Sequence, residues 1–211
     1  MGEKAAASVE TERKYDVPED AALPDLAAIA ATTDTDRFAL RAVYYDTADD
    51  RLAAVRMTLR RREGGHDAGW HLKTPGADGR VEHASPLADD LPAPLLTLVA
   101  DVVGDEPLIE IARLDTDRTA TTLRDAGGTA FAEVADDRVT AVDARTSTVR
   151  TWREWEAELM PGAPDDRGAR AGLLDRIEEA LLAAGAMPSA SSSKLAQATG
   201  RSTLGTRPPS D

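Results

Sequence analysis

The chain has 211 residues, enough for one domain with a sizeable core, and its 42% hydrophobic content excludes wholesale disorder. A net charge of −13 excludes a protein that wraps nucleic acid by neutralising phosphates, and the absence of cysteine excludes disulfides, thiolate chemistry and Cys-ligated zinc. No stretch approaches the ~18 apolar residues of a membrane span, and the start MGEKAAASVE lacks a secretory leader. A soluble cytoplasmic protein with neither nucleic-acid nor membrane partner is the expectation.

In chain order, residues 1–8 read as a disordered start. Val9 to Val17 alternates as a strand should, and Pro24 to Ala31 reads as a short helix with Pro in its first turn. Arg37 to Thr47 reads as a strand whose AVYY run is β-branched and aromatic. Val55 to Glu63, Trp70 to Thr74 and Arg80 to Ala84 are further strands, separated by turns at Gly64-Gly65 and around Pro75-Gly76 and Asp78-Gly79. Pro92 to Val103 reads as an apolar helix. Leu108–Leu123, Thr129–Val142 and Thr148–Met160 follow as strands, the first two joined by the hairpin turn Asp125-Ala126-Gly127-Gly128. Ala169 to Ala184 has helical spacing at Leu173, Leu174, Ile177, Leu181 and Leu182, and Gly185 ends it. Ser189 to Lys194 reads as a polar turn, and residues 199–211 as a linker or tail. About eight strands with few helices predict an antiparallel barrel or sandwich.

The strands share an unusual feature. Successive residues point to opposite faces, so Glu10, Glu12 and Lys14 share one face, as do Arg60 and Arg62, His71 and Lys73, Glu133 and Asp137, and Glu154, Glu156 and Glu158. For any single strand a solvated outer face is the ordinary reading. Recurrence over five strands weakens it, and so does the composition opposite the Glu row: Arg153, Trp155, Ala157 and Leu159. Like charges at i and i+2 lie roughly 7 Å apart, a repulsion of about 2.4 kcal/mol per pair at an effective dielectric near 20. Three Glu in a row therefore call for a cation, and hard oxygen ligands without Cys select Mg²⁺, Mn²⁺ or Ca²⁺. The Arg60/Arg62/Lys73 group calls for an anion, and a phosphate chain bridged to metal ions satisfies both.

Glu10-Thr11-Glu12-Arg13-Lys14 resembles the ExExK signature of CYTH domains, the triphosphate tunnel metalloenzymes. The ordered sequel makes the resemblance specific. Leu59 to Arg62 is similar to the family's paired-Arg strand, Trp70 to Gly76 to its Lys-bearing strand, and Arg80-Val81-Glu82 to the Arg/Glu strand after it. Arg113 and Arg118 fall where further basic residues stand, Phe131 to Asp137 resembles the strand with Glu and Asp four apart, and Glu154 to Glu158 resembles ExExE. Ser193-Lys194 resembles the Ser-Lys near the family's C-terminus. The match runs from Val9 to Leu195, giving a domain over residues 9–198.

The resemblance implies a mainly β fold, a closed eight-stranded antiparallel tunnel with a few flanking helices and its charged residues inside. It implies Mg²⁺ or Mn²⁺ held by Glu10, Glu12, Glu154, Glu156 and Glu158, with Glu133 and Asp137 completing the shells. Arg60, Arg62, Lys73, Arg113, Arg118 and Lys194 would hold phosphate oxygens. Lys14 and Glu82 are the catalytic candidates, Glu82 by completing a metal shell or positioning water. The ligand class is triphosphate or polyphosphate and the leading activity is hydrolysis of inorganic triphosphate. Alternatives are thiamine triphosphatase or class IV adenylyl cyclase-type activity, and a non-catalytic polyphosphate-binding module. The tail also suggests a following CHAD domain. Two departures stand out: His71 replaces a small hydroxyl residue, and Ala84 stands where many members carry a second Glu. Arg113 and Arg118 differ by an odd number, so both face inward only across a bulge. Arg13 and Arg61 lie opposite the charged face, and His66 and His83 read as surface residues.

Overall fold

The computed structural model describes residues 5–76, 79–191 and 193–201. Residues 202–211 of the expected tail, and residues 1–4 of the expected disordered start, lie outside this description. Ten strands form one antiparallel sheet: β1 (Ala6–Glu10), β2 (Glu12–Asp16), β3 (Thr32–Asp46), β4 (Thr58–Glu63), β5 (Gly69–Gly76), β6 (Gly79–Pro86), β7 (Ile109–Arg124), β8 (Ala130–Asp143), β9 (Val149–Leu159) and β10 (Met187–Pro188). Four helices accompany them: α1 (Arg51–Ala54), α2 (Ala93–Val103), α3 (Arg167–Ala183) and α4 (Lys194–Thr199).

The strand order is β1-β6-β5-β4-β3-β7-β8-β9-β2-β10. The expected closed, eight-stranded barrel is therefore corrected to an open ladder of ten strands among the described residues. Its opening lies at the N-terminus. The single strand expected over 9–17 is broken at Thr11: β1 pairs with β6, while β2 pairs with β9 on the far side of the sheet. Thr11 still accepts a hydrogen bond from the Leu159 amide at 3.0 Å. Two strands one residue apart in sequence thus flank opposite ends of the ladder, and the sheet curls around the space between them.

The curl places the charged face inside and the apolar face outside. Leu59, Trp70 and Leu72 pack against Leu95, Val99 and Val103 of α2. Tyr15, Trp155, Ala157 and Leu159 pack against Leu173, Leu174, Ile177 and Leu181 of α3. The periodicity of α3 reflects that seat, and Asp166 caps it by accepting from the Ala169 amide at 2.8 Å. Arg13 ties β2 to α3 through Asp175 (2.7 Å) and Glu178 (2.6 Å), so it is paired rather than merely solvated.

The helix expected over 24–31 is a turn. Ile29 and Ala30 both donate to the Leu26 carbonyl, Leu26 and Ala30 enter the core, and β3 begins at Thr32. Eight residues with so little apolar periodicity cannot offset the cost of helix nucleation. The polar turn expected before Lys194 instead leads into α4: Ser193 caps it by accepting from the Ala196 amide at 3.1 Å, and Leu195 and Ala198 pack on Tyr44, Ile111 and Val139.

Candidate functional site

Each of β1 to β9 sends side chains into one cavity of about 110 Å³. Most of its lining is ionic, with Leu40, Ala42, Tyr44 and Leu114 among the rest. Glu10, Glu12, Asp67, Glu82, Asp137, Glu156 and Glu158 face Lys14, Arg60, Arg62, Lys73, Arg80, Arg118 and Lys194, with His71 among them. The i, i+2 rows of the sequence account for the placement, since each strand turns its charged face inward.

The carboxylates fall into two groups. The first joins β1, β2 and β9. Glu12 and Glu158 are direct cross-strand partners, and Glu10 is bound on one side by Lys73 at 2.7 Å. The other Glu10 oxygen is buried with no hydrogen-bond partner. Burial pushes the Glu158 carboxyl up to about 7, with repulsion from Glu12 and Glu10 adding to it. The second group is Asp137, Glu154 and Glu156, whose oxygens lie within 4.8 Å of one another in full burial. The Lys194 ammonium touches all three, at 2.8 Å from Asp137, 2.5 Å from Glu154 and 2.7 Å from Glu156.

Arg118 completes the second group, reaching Asp137 at 2.7 Å and Glu156 at 2.8 Å, with Glu133 at 3.8 Å. Lys14 also pairs with Glu156, and with Glu12 at 3.3 Å, so its ammonium bridges the two groups. Burial would favour a neutral Glu156, but Lys14, Lys194 and Arg118 hold its carboxyl well below the usual range. Burial likewise opposes the charged forms of Lys194 and Arg118, and the carboxylates they touch more than offset it. Glu154 goes the other way: burial and the Glu156 charge raise it, and Lys194 offsets only part. Its Oε2 also accepts from the Trp152 indole at 2.6 Å.

Glu82 stands apart from both groups. It accepts a contact from Arg60 at 3.4 Å and lies 3.1 Å from His71. Burial would raise its carboxyl, yet His71 and Arg60 bring it down to about 2. Arg62 pairs with Asp67. Burial, then the charges of Arg60 and Arg118, lower the Arg62 guanidinium to about 9. Both β4 cations of the cavity are therefore paired, Arg60 with Glu82 and Arg62 with Asp67.

Of the residues singled out from the sequence, Glu10, Glu12, Lys14, Arg60, Arg62, Lys73, Glu82, Arg118, Asp137, Glu156, Glu158 and Lys194 line the cavity. Glu133 and Glu154 lie just behind Arg118 and Lys194. Arg113 is corrected: its exposed side chain turns outward and pairs with Glu110, because no bulge intervenes between it and Arg118 in the β7–β8 pairing. Asp67 also lines the cavity, and so does Arg80, which the sequence matches to the family's Arg/Glu strand without a site role. Asp67 comes from the β4–β5 loop, which strand periodicity cannot orient. Arg80 shares a strand face with Glu82, a signal that was available. His83 is half-buried and lies 3.3 Å from Thr74.

The donor set fits a hard divalent cation. It is made of carboxylate oxygens only, it gathers like charges, and it leaves a buried Glu10 oxygen without a partner. The family model for the CYTH domain matches residues 8–179. The chain belongs to the CYTH family. Two Mycobacterium tuberculosis proteins, Uncharacterized protein MT2285 (strain CDC 1551 / Oshkosh) and Uncharacterized protein Rv2226 (strain ATCC 25618 / H37Rv), are each 41% identical to it over 222 residues. The match covers 97% of this chain and 43% of those proteins, so the chain spans less than half of their length. Among solved structures, "a putative adenylate cyclase" from Bacillus halodurans superposes with a TM-score of 0.60 at 16% identity, covering 90% of this chain and 97% of that one. That likeness shows the fold. No helix among the described residues is long and apolar enough to cross a membrane.

Proposed function

We propose that this chain hydrolyses a triphosphate inside the curled sheet with the help of Mg²⁺ or Mn²⁺, inorganic triphosphate being the leading substrate, and that the sheet acts as a tunnel around it. The observation that carries this reading is one buried cavity in which clustered carboxylates are interleaved with Arg and Lys side chains paired to them. A linear triphosphate with bound metal has the same alternation of charge.

Glu10, Glu12 and Glu158, and Asp137, Glu154 and Glu156, would hold the metal, with Glu133 behind them. A divalent cation bound there supplies neutralisation of the carboxylates and of charge developing on the phosphate oxygens. Arg60, Arg62, Lys73, Arg118 and Lys194 grip the chain. On binding, each exchanges a carboxylate partner for a phosphate oxygen, so ordered donors are already in place and little reorganisation is needed. Glu82, ionised and held by His71 and Arg60, orients the attacking water. Lys14, between the two carboxylate groups, offsets charge at the reacting phosphorus. Positioning and charge stabilisation carry most of such a reaction.

Phosphate release is to be measured from inorganic triphosphate, ATP and thiamine triphosphate, each with Mg²⁺, with Mn²⁺ and with chelator. Metal-dependent release from inorganic triphosphate supports the reading. Release confined to an organic triphosphate, or pyrophosphate release from ATP with a cyclic product, replaces the substrate. Ala84, which leaves β6 without a second carboxylate, favours one other reading, a polyphosphate-binding module without turnover. Tight binding of long-chain polyphosphate with no hydrolysis of any substrate would establish it.

A further inference from the structure

The surroundings of His71 fix its tautomer. Its Nε2 lies 2.8 Å from the carbonyl oxygen of Asp67. A carbonyl only accepts, so Nε2 carries a hydrogen. Its Nδ1 then faces Glu82 Oε1 at 3.1 Å and has no other partner. Two bare lone pairs at that distance repel, whereas one proton between them makes a charge-assisted hydrogen bond. The ring is 3% exposed, which leaves little room for water to relieve the contact. The direct neighbour of His71 on β6 is Ala84, whose single methyl lets the imidazole reach across to Glu82.

Cations oppose that proton. Arg60 is the direct partner of His71 on β4, Arg62 lies one inward position further along, and Lys73 follows on β5. Among the described residues Glu82 on β6 is the one carboxylate in contact with the ring, since Asp67 spends its own on Arg62. Burial holds the imidazole below its ordinary value; Glu82 opposes this, and the charges of Arg60 and Arg62 add to it. A phosphate chain lying on Arg60 and Arg62 would cancel those charges while adding negative charge of its own.

We infer that His71 and Glu82 form a dyad that takes up one proton from solvent when a phosphate chain settles on Arg60 and Arg62, and that His71 thereby becomes a further cation for phosphate recognition. No covalent bond breaks; the dyad passes from one negative charge to none. This rests on the reading of the cavity as a phosphate site. By linkage, the same coupling makes phosphate binding tighten as pH falls from the range in which phosphate-bound His71 titrates towards that of free His71, and level off below it.

The test uses the full chain, Mg²⁺ and a triphosphate analogue with methylene bridges, which binds without being hydrolysed. Calorimetric titration near pH 7.5, in two buffers of different ionisation enthalpy, counts protons. Wild type is expected to take up about one proton per bound analogue more than His71→Asn. Equal counts overturn the dyad. A second measurement needs no variant. The sequence holds three histidines, and the ¹⁵N shift of His71 Nδ1 should move to the protonated position on saturation. An unchanged shift with analogue bound overturns the dyad alone, while no binding at all overturns both the dyad and the phosphate site beneath it.

Discussion

Glu12 on β2 and Glu158 on β9 are paired directly across the sheet, two carboxylates on one rung that both face the cavity. Like charges placed opposite each other weaken a strand pair, and on the proposed reading a bound cation would relieve this rung. Glu158→Gln should stabilise the metal-free protein by about 1 kcal/mol, raising its melting temperature by roughly 2–4 °C. It should also reduce the further rise that Mn²⁺ gives the wild type. Thermal unfolding with and without chelator checks both, and an unchanged response to Mn²⁺ would remove Glu158 from the metal site.

Lys194 carries the opposite burden. Its ammonium touches three buried carboxylates at 2.5–2.8 Å, two of which Arg118 also contacts. Lys194→Met leaves them without their shared partner and should cost about 3–5 kcal/mol in denaturant unfolding. Mn²⁺ should restore part of that loss, because the same oxygens can then ligate metal. A loss below about 1 kcal/mol would mean that the cluster is already satisfied without the lysine.

Arg113 and Arg118 separate the faces of β7. Arg113→Ala should leave stability within about 0.5 kcal/mol and phosphate release unchanged, since its side chain is exposed and pairs with Glu110 outside the cavity. Arg118→Ala should lower turnover by about 10²–10³, the usual scale for losing one preorganised donor to a developing charge. Equal effects from the two variants would contradict the orientation of β7.

Glu82 gives the acid limb of stability. Its folded value is about 2 against an ordinary 4.5. The folded state therefore binds fewer protons than the unfolded one between these values. The contribution is full above about pH 4.5 and is lost as pH falls towards 2, on the order of 3 kcal/mol. Urea unfolding from pH 6 down to about pH 3 should fall less steeply in Glu82→Gln than in wild type. Parallel curves would mean that His71 and Arg60 do not hold this carboxylate.

Much of the site is legible in the sequence because a strand's period of two is simple to read. The rows at Glu10/Glu12/Lys14, Arg60/Arg62 and Glu154/Glu156/Glu158 all turn inward together. The same rule explains why Trp155 and Ala157 are core under α3. What periodicity could not show is where the chain changes partner. Thr11 sits in an unbroken alternating run, and only tertiary pairing sends β1 to β6 and β2 to β9. Lys194 has no period to betray it, and its place depends on the Ser193 cap and the packing of Leu195 and Ala198. His71 was visible as a departure from the family pattern, but its link to Glu82 depends on the register of β5 with β6.

The central claim is that carboxylate-bound metal and a triphosphate meet in this cavity. The most direct measurement is the rate of phosphate release from inorganic triphosphate with Mn²⁺, for wild type, Glu12→Ala and Glu156→Ala. The account predicts rapid release by wild type, its loss on chelation, and a fall of about 10²-fold or more in each variant. Release that survives both substitutions, or that continues at full rate in chelator, would contradict it.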